Sequence, residues 1–203
     1  MTLTTYPELA QRSVEWLEAR RGIVTASAVG SLIAVNRPDA INFPCPECGA
    51  RPDAPCLSKT RKEPTELRTL HSGRVAPSDA PDVLSVSEGD GARSYLRTLV
   101  AERITGRIIE TRQTDAMLTG ILDEPIARDI YREHFKPVRE FGFFVRDLGA
   151  GAKLGYSPDG LVGGDGLIEI KSATTTPKTQ IARALGAPVE HAYMAQMQAG
   201  MLV

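Results

Sequence analysis

Cysteine is scarce: the 203-residue chain has three, all within residues 45–56. An odd, tightly spaced set excludes the paired-disulfide framework of a small secreted domain. No apolar run is long enough to span a bilayer, and the opening residues lack the charged-then-apolar order of a signal peptide. The expectation is a protein of the cytoplasm, without a membrane partner. A surplus of either charge is also missing. Lys and Arg total 24 against 25 Asp and Glu, a formal net charge of −1, so no overall basic field announces a nucleic-acid partner. A local basic groove offset by clustered carboxylates stays compatible with that balance. No internal repeat is visible. The length permits one substantial core with room for a small extra module.

The strongest local signal is Gly155-Tyr156-Ser157-Pro158-Asp159-Gly160, followed after Gly163-Gly164-Asp165-Gly166 by Leu167-Ile168-Glu169-Ile170-Lys171. Glycine and aspartate tolerate positive φ, so the four residues between Val162 and Leu167 predict a hairpin loop. Pairing Val162 with Leu167 sets Gly160 opposite Glu169 and Asp159 opposite Ile170. Glu169 and Lys171, two apart, project from one face, with Asp159 beside Glu169 at the hairpin mouth. Two carboxylates that close repel unless a divalent ion lies between them, and oxygen donors suit Mg²⁺ or Mn²⁺. A neighbouring ammonium suits a phosphate oxygen or an attacking hydroxide. This predicts metal-dependent phosphodiester chemistry. Asp-Gly is also an ordinary turn, and Glu-x-Lys an ordinary ion pair. The interleaved Leu167, Ile168 and Ile170 favour the functional reading, because they mark a core strand where charges need partners or a metal.

A second cluster lies in residues 36–91, a stretch rich in Pro, Gly, Ser and charge. Cys45-Pro46-Glu47-Cys48, Cys56 and His71 supply the four soft ligands of a closed tetrahedral zinc site, with His71 at the longest spacing. The segment between Asn36 and His71 lacks the apolar mass to fold unaided, and a metal would provide the missing stabilisation. Reduced surface thiols and a redox Cys-x-x-Cys pair are the alternatives, although no βαβ pattern flanks the latter. The same insert carries Arg51, Lys59, Arg61, Lys62, Arg68 and Arg74 against Asp53, Glu63 and Glu66. That positive excess faces DNA phosphates or is merely a solvated face. Residues 77–91 read as a flexible acidic linker.

Around the insert, an amphipathic helix is expected from Pro7 to about Arg21, with Val14 and Leu17 inward and Trp16 in the core. A second spans Ala28–Val35, capped by Thr25 or Ser27; its free N–H groups offer a place for a phosphate, with Arg20 close by. A third covers Arg93–Thr105, with Leu96, Leu99, Val100 and Ile104 as its stripe and Gly106 as C-cap. A fourth runs from about Leu118 to Phe135, begun or kinked at Pro125, with Ile126, Ala127, Ile130 and Tyr131 on one face and Glu124 free to point toward the sheet. Strands follow at Val138–Val145 and Ala152–Tyr156, then the hairpin. Helices are expected over Lys178–Leu185, closed by Gly186, and from near Pro188 onward. This order predicts an α/β fold with a small mixed sheet flanked by helices. The domains are a discontinuous core of residues 1–36 and 92–203, an insert of residues 37–76, and a linker of residues 77–91. The uncapped apolar end of the chain suggests either a core shortened at its C-terminus or a sheet without later strands.

Several short motifs occur in a telling order: Trp16-x-x-x-Arg20 with Ile23-Val24-Thr25-Ala26-Ser27, then Gly120-x-x-x-Glu124-x-x-Ala127-Arg128, Ser157-Pro158-Asp159-Gly160-Leu161, Glu169-Ile170-Lys171, and Tyr193-Met194-Ala195-Gln196-Met197-Gln198. Together they resemble the YqaJ-type viral recombinase nucleases, the lambda-exonuclease-like members of the PD-(D/E)XK superfamily. The resemblance covers about residues 13–35 and 93–203 and implies a restriction-endonuclease-like core. It implies that Asp159, Glu169, Glu124 and the carbonyl of Ile170 bind Mg²⁺ or Mn²⁺. Lys171 would then orient or activate the attacking water with help from Gln196, while Arg20, Ser27 and Ser157 hold a 5′-phosphate. The implied activity is 5′→3′ resection of double-stranded DNA for phage-type recombination in a bacterial host's cytoplasm. A single-strand annealing protein would be the partner, and a homotrimer the assembly. The zinc-knuckle insert departs from this pattern. Alternatives are an endonuclease or a nuclease of other polarity in the same superfamily, or a non-enzymatic, zinc-stabilised DNA-binding module.

Overall fold

The computed structural model describes residues 2–58, 63–109, 113–172, 181–182, 184–186 and 188–203. They form two compact units, Met1–Leu32 with Glu88–Val203, and Ile33–Ser87. The first carries β1 (Leu3–Tyr6), α1 (Val14–Arg20), β2 (Val24–Thr25) and α2 (Ala26–Val29). The second is bounded by β3 (Ile33–Asn36) and β4 (Val83–Val86). The first then resumes with α3 (Asp90–Thr105), α4 (Asp115–His134), β5 (Val138–Arg139), β6 (Phe143–Gly149), β7 (Ala152–Tyr156), β8 (Gly160–Val162), β9 (Gly166–Ile168) and α5 (His191–Leu202). Half of the helix expected over residues 178–185 lies outside the described residues; residues 181, 182 and 184 are helical. None of the described helices is long and apolar enough to cross a membrane.

In the larger unit one sheet has the order β1-β6-β7-β2, with β2 parallel to β7 and the other pairs antiparallel. A second sheet orders β5-β8-β9, all antiparallel. The result is the mixed α/β layer expected, with helices flanking small sheets. Its core gathers Ala26, Leu154, Tyr156 and Ala199 from α2, β7 and α5. Glycine makes the tightest approach possible: a Cβ on Gly200 would fall 2.8 Å from the Tyr156 ring, so α5 settles directly on β7.

Several local expectations change. The first helix is a single short α1, because the chain turns through residues 7–12, with Arg12 at φ +71°, before Ser13 opens it. Ser13 caps α1 by accepting from the Trp16 N–H, and Val14 is exposed. The second helix starts earlier and stops earlier: α2 runs from Ala26 to Val29, a 3₁₀ turn takes Gly30–Leu32, and residues 33–36 extend into β3. Pairing of residues 33–36 with β4 overrides their helical spacing. Thr25 occupies the N-cap position without a side-chain cap bond. Within α3 the expected Gly106 C-cap is present in the left-handed region, yet Leu99 is buried while Leu96, Val100 and Ile104 are exposed. In α4, which keeps Pro125 inside it, the buried residue is Arg128 rather than Ile126 or Ile130.

The hairpin register differs by one residue from expectation. Val162 pairs with Gly166, Leu161 with Leu167 and Gly160 with Ile168. The loop is therefore three residues, opened by Gly163 at φ +63°. Gly166 is required at the closing position, where a Cβ would lie 2.6 Å from the Val162 carbonyl oxygen.

The smaller unit has little apolar mass of its own: Cys45, Ala50 and Cys56 are its buried cluster. The antiparallel β3–β4 pair closes its base, so residues 83–86, expected in a linker, form a strand, and Asp90 already begins α3.

Candidate active site and candidate metal centre

At the open end of the β8–β9 hairpin the one-residue shift brings Asp159 level with Glu169. Asp159 Oδ2 accepts from the Ile170 N–H at 2.6 Å, which fixes the carboxylate across the hairpin mouth. Burial first, then the Glu169 charge, pushes the Asp159 carboxyl up to about 7. Glu169 is itself nearly enclosed and fully engaged. Lys171 Nζ lies 2.7 Å from its Oε1, Gln196 Nε2 donates to the same oxygen, and the Tyr156 hydroxyl donates to Oε2 at 3.2 Å. Burial and the Glu169 charge both raise the Tyr156 phenol, keeping it a donor. The helix periodicity explains Gln196: one turn before Gly200 on α5, it shares the face that rests on Tyr156. Lys171 Nζ also sits 5.3 Å from the centre of the Tyr193 ring.

Glu124 enters from α4. Arg128 on the next turn donates to Glu124 Oε1 and, through Nε, to the Asp159 carbonyl at 2.6 Å. It also reaches Glu140 at 3.1 Å. Arg12 meets Glu124 Oε2 at 2.8 Å. Glu124 and Asp159 thus share one polar cluster, with Arg128 as the tie between helix and hairpin. Breaking a buried ion pair from one side leaves an uncompensated charge, typically costing about 3–5 kcal/mol. Arg128→Gln is expected to lower the urea unfolding free energy by that order, with a control at exposed Arg132 changing it by less than about 0.5 kcal/mol.

Asp159, Glu169 and the Ile170 carbonyl offer hard oxygen donors that fit Mg²⁺ or Mn²⁺. Glu124, held on both oxygens by guanidinium groups, keeps lone pairs with which to join such a set.

A second linked group lies near the first. Trp16 Nε1 donates to Ser157 Oγ at 2.8 Å, and the Arg20 guanidinium stacks 3.8 Å from the centre of the Trp16 ring. Arg20 Nη2 reaches Thr25 Oγ1 at 3.5 Å, and that hydroxyl is 3.3 Å from Ser27 Oγ. Arg20, Ser27 and Ser157 are therefore connected, through Trp16 and Thr25. Burial lowers the Arg20 guanidinium to about 10, still charged at neutral pH. Trp16, expected as plain core, is half-buried and serves as the bridge. Its indole N–H has a partner across the sheet, which no local pattern reveals. Arg128 and Tyr156 were also missed as parts of the site; a buried arginine on an apolar helical face was the available clue.

In the smaller unit Cys45, Cys48, Cys56 and His71 bring one ligand atom each to within 4.8 Å of one another. Cys45 opens a tight turn in which Gly49 N–H donates to its carbonyl and its own N–H donates to Ala50. Backbone N–H groups of Leu57 and His71 point at the Cys48 and Cys56 sulfurs, both at 3.4 Å. The Leu57 N–H is the main reason the Cys48 thiol falls to about 6. Three sulfurs and an imidazole at this spacing fit a structural zinc ion. Arg74, expected among the DNA-facing cations, is instead buried inside this unit. Arg51 and Arg68 are exposed, and Lys59, Arg61 and Lys62 lie outside the described residues.

A family model described as YqaJ-like viral recombinase domain matches residues 66–203. A second, for a phage zinc finger domain proposed to bind DNA, matches residues 9–86. Among solved structures, the alkaline exonuclease LHK-Exo from Laribacter hongkongensis is similar at a TM-score of 0.56 and 27% identity, over 93% of this chain and 67% of that one. Its complex with dAMP gives 0.55 and 26%, over 92% and 66%. The chain thus spans about two thirds of the length of those structures. No curated protein matches it at the significance required.

Proposed function

This chain belongs to the YqaJ-like viral recombinase domain family, and from that premise we propose that it is a phage-type exonuclease that resects double-stranded DNA from 5′ ends for recombination. One observation carries the reading: Asp159, Glu169 and Lys171 of the hairpin meet Gln196 of α5 in one polar cluster that also includes Glu124 of α4. The likeness to an alkaline exonuclease supports the same class of reaction.

Asp159, Glu169 and the Ile170 carbonyl would hold Mg²⁺ or Mn²⁺, with Glu124 joining them. When bound, such an ion supplies Lewis-acid activation of water and offsets charge at the scissile phosphate. The chain's own groups do the rest. Tyr156 and Gln196 orient Glu169 by donating to its two oxygens. The Ile170 N–H sets the Asp159 carboxylate. Lys171 places an ammonium at the edge of Glu169, where it orients the attacking water and steadies a developing negative charge.

Arg20, with Ser27 and Ser157, would grip a terminal 5′-phosphate, which bears more charge than an internal one. A charge-assisted hydrogen bond contributes about 1.5–3 kcal/mol. A 5′-phosphorylated duplex is therefore expected to be degraded roughly tenfold or more faster than its 5′-hydroxyl counterpart. Arg20→Ala should erase the difference, and equal rates in the unaltered chain would remove Arg20 and Ser27 from this role. A covalently closed circle, left intact by an exonuclease, separates this reading from an endonuclease.

We further propose that Cys45, Cys48, Cys56 and His71 hold structural Zn²⁺, which calls for the reducing cytoplasm of a bacterial host. The match to a phage zinc finger domain supports this ligand set and a role in gripping DNA. A single-strand annealing protein is the partner such resection would feed, since it leaves a 3′ single strand.

A further inference from the structure

The smaller unit buries one cation deeply. Arg74 is 2% exposed, and among the described residues no carboxylate pairs with it. Its guanidinium donates through Nε to the Phe43 carbonyl at 2.8 Å. Nη1 donates to Ala54 at 2.7 Å, and Nη2 to Ile41 at 2.7 Å and Arg51 at 2.9 Å. These carbonyls belong to the two segments that flank the Cys-x-x-Cys turn. The fifth contact is of another kind: Nη1 lies 3.5 Å from the sulfur of Cys56, which is itself fully buried. The Arg74 backbone N–H closes the turn on His71 by donating to its carbonyl at 3.0 Å.

Carbonyl dipoles satisfy the fork but leave its charge uncompensated, and an unpaired buried charge is costly. Three thiolates and one neutral imidazole around a divalent ion carry a net charge of −1. Arg74 carries the opposite charge and touches one of the three sulfurs. We infer that Arg74 is a positioning residue of the metal centre: it neutralises the thiolate-rich site through Cys56 and locks residues 41–54 into the geometry that presents Cys45 and Cys48. This rests on the zinc reading of the four ligands. It also separates Arg74 from the DNA-facing cations of the insert.

Outer-sphere partners of metal ligands typically contribute a factor of about 10–100 in metal affinity. Zinc affinity of the full chain, measured by competition with a fluorescent chelator, is expected to fall by that factor in Arg74→Met. In Arg74→Lys, which keeps the charge without the fork, it should fall less. The second readout is the sulfur-to-cobalt charge-transfer absorption of the Co²⁺-loaded protein. Loss of the N–H···S contact leaves the Cys56 sulfur electrons less stabilised, so the band should move to longer wavelength in both variants. If Arg74→Met fails to fold even with excess metal, the lysine variant decides. An affinity lost equally in Arg74→Lys and Arg74→Met, or a lowered stability with an unmoved band, would reduce Arg74 to a backbone pin and overturn the inference. A wild-type chain that binds neither Zn²⁺ nor Co²⁺ through its thiols would overturn the zinc reading instead.

Discussion

Asp159→Asn is expected to lower Mg²⁺-dependent degradation of linear duplex DNA about a thousandfold or more, a loss of roughly 4 kcal/mol of transition-state stabilisation. The substitution keeps an oxygen that can accept from the Ile170 N–H, so the hairpin mouth retains its bond. What disappears is the charge. Burial and the nearby Glu169 already work against an ionised Asp159 in the metal-free fold. With zinc bound and no Mg²⁺ added, the variant should therefore unfold at the same or a higher temperature than wild type, because one of two repelling carboxylates is gone. Loss of activity beside unchanged or improved stability is the signature of a residue kept for chemistry. Lys171→Ala should lose activity comparably, since it removes the ammonium 2.7 Å from Glu169. The checks are a gel assay of linear duplex and a thermal melt of the same samples. An Asp159→Asn chain that unfolds earlier and keeps a tenth of its activity would mark the aspartate as structural.

Zinc removal should have the other large effect, and on folding. Among the described residues the smaller unit's buried cluster is Ala50 with the two cysteines Cys45 and Cys56, far short of what a self-sufficient core needs. It also buries Arg74, whose charge is balanced only when the thiols are ionised around a metal. Binding free energies of structural zinc are on the order of 10 kcal/mol and count as folding free energy. Prolonged treatment with a strong zinc chelator, or Cys56→Ser, is expected to release roughly one zinc per chain and to expose residues 37–76 to limited proteolysis. Re-adding Zn²⁺ should restore resistance to the chelated wild type. A metal-free chain that stays protease-resistant across this segment would contradict the account.

Much of the candidate site is legible in the sequence because its groups sit where local rules are strong. Gly163-Gly164-Asp165-Gly166 announces the hairpin, and the two-residue spacing of Glu169 and Lys171 puts them on one face. The Cys-x-x-Cys turn similarly announces the ligand cluster. The register does not follow from those rules: a three-residue loop and a four-residue loop fit the same glycines, and the close approach of Gly166 to the Val162 carbonyl decides between them. Long-range pairings are equally silent. Residues 3–6 become a strand because β6 offers an edge. Trp16 and Arg128 carry no label of their own. An indole bonded to Ser157 and an arginine bridging Glu124 to the Asp159 carbonyl are consequences of sheet and helix packing, invisible until α4 and the hairpin lie side by side. Arg74 illustrates the opposite error, a cation assigned to the surface from composition that the fold turns inward to its own carbonyls.

The central claim is that Asp159 and Glu169 form a divalent-ion site. It is tested most directly by titrating the zinc-loaded chain with Mn²⁺ and counting free ion by electron paramagnetic resonance, in wild type, Asp159→Asn and Glu169→Gln. The account predicts bound Mn²⁺ in wild type and its loss in both variants. Equal Mn²⁺ uptake by all three proteins would contradict it.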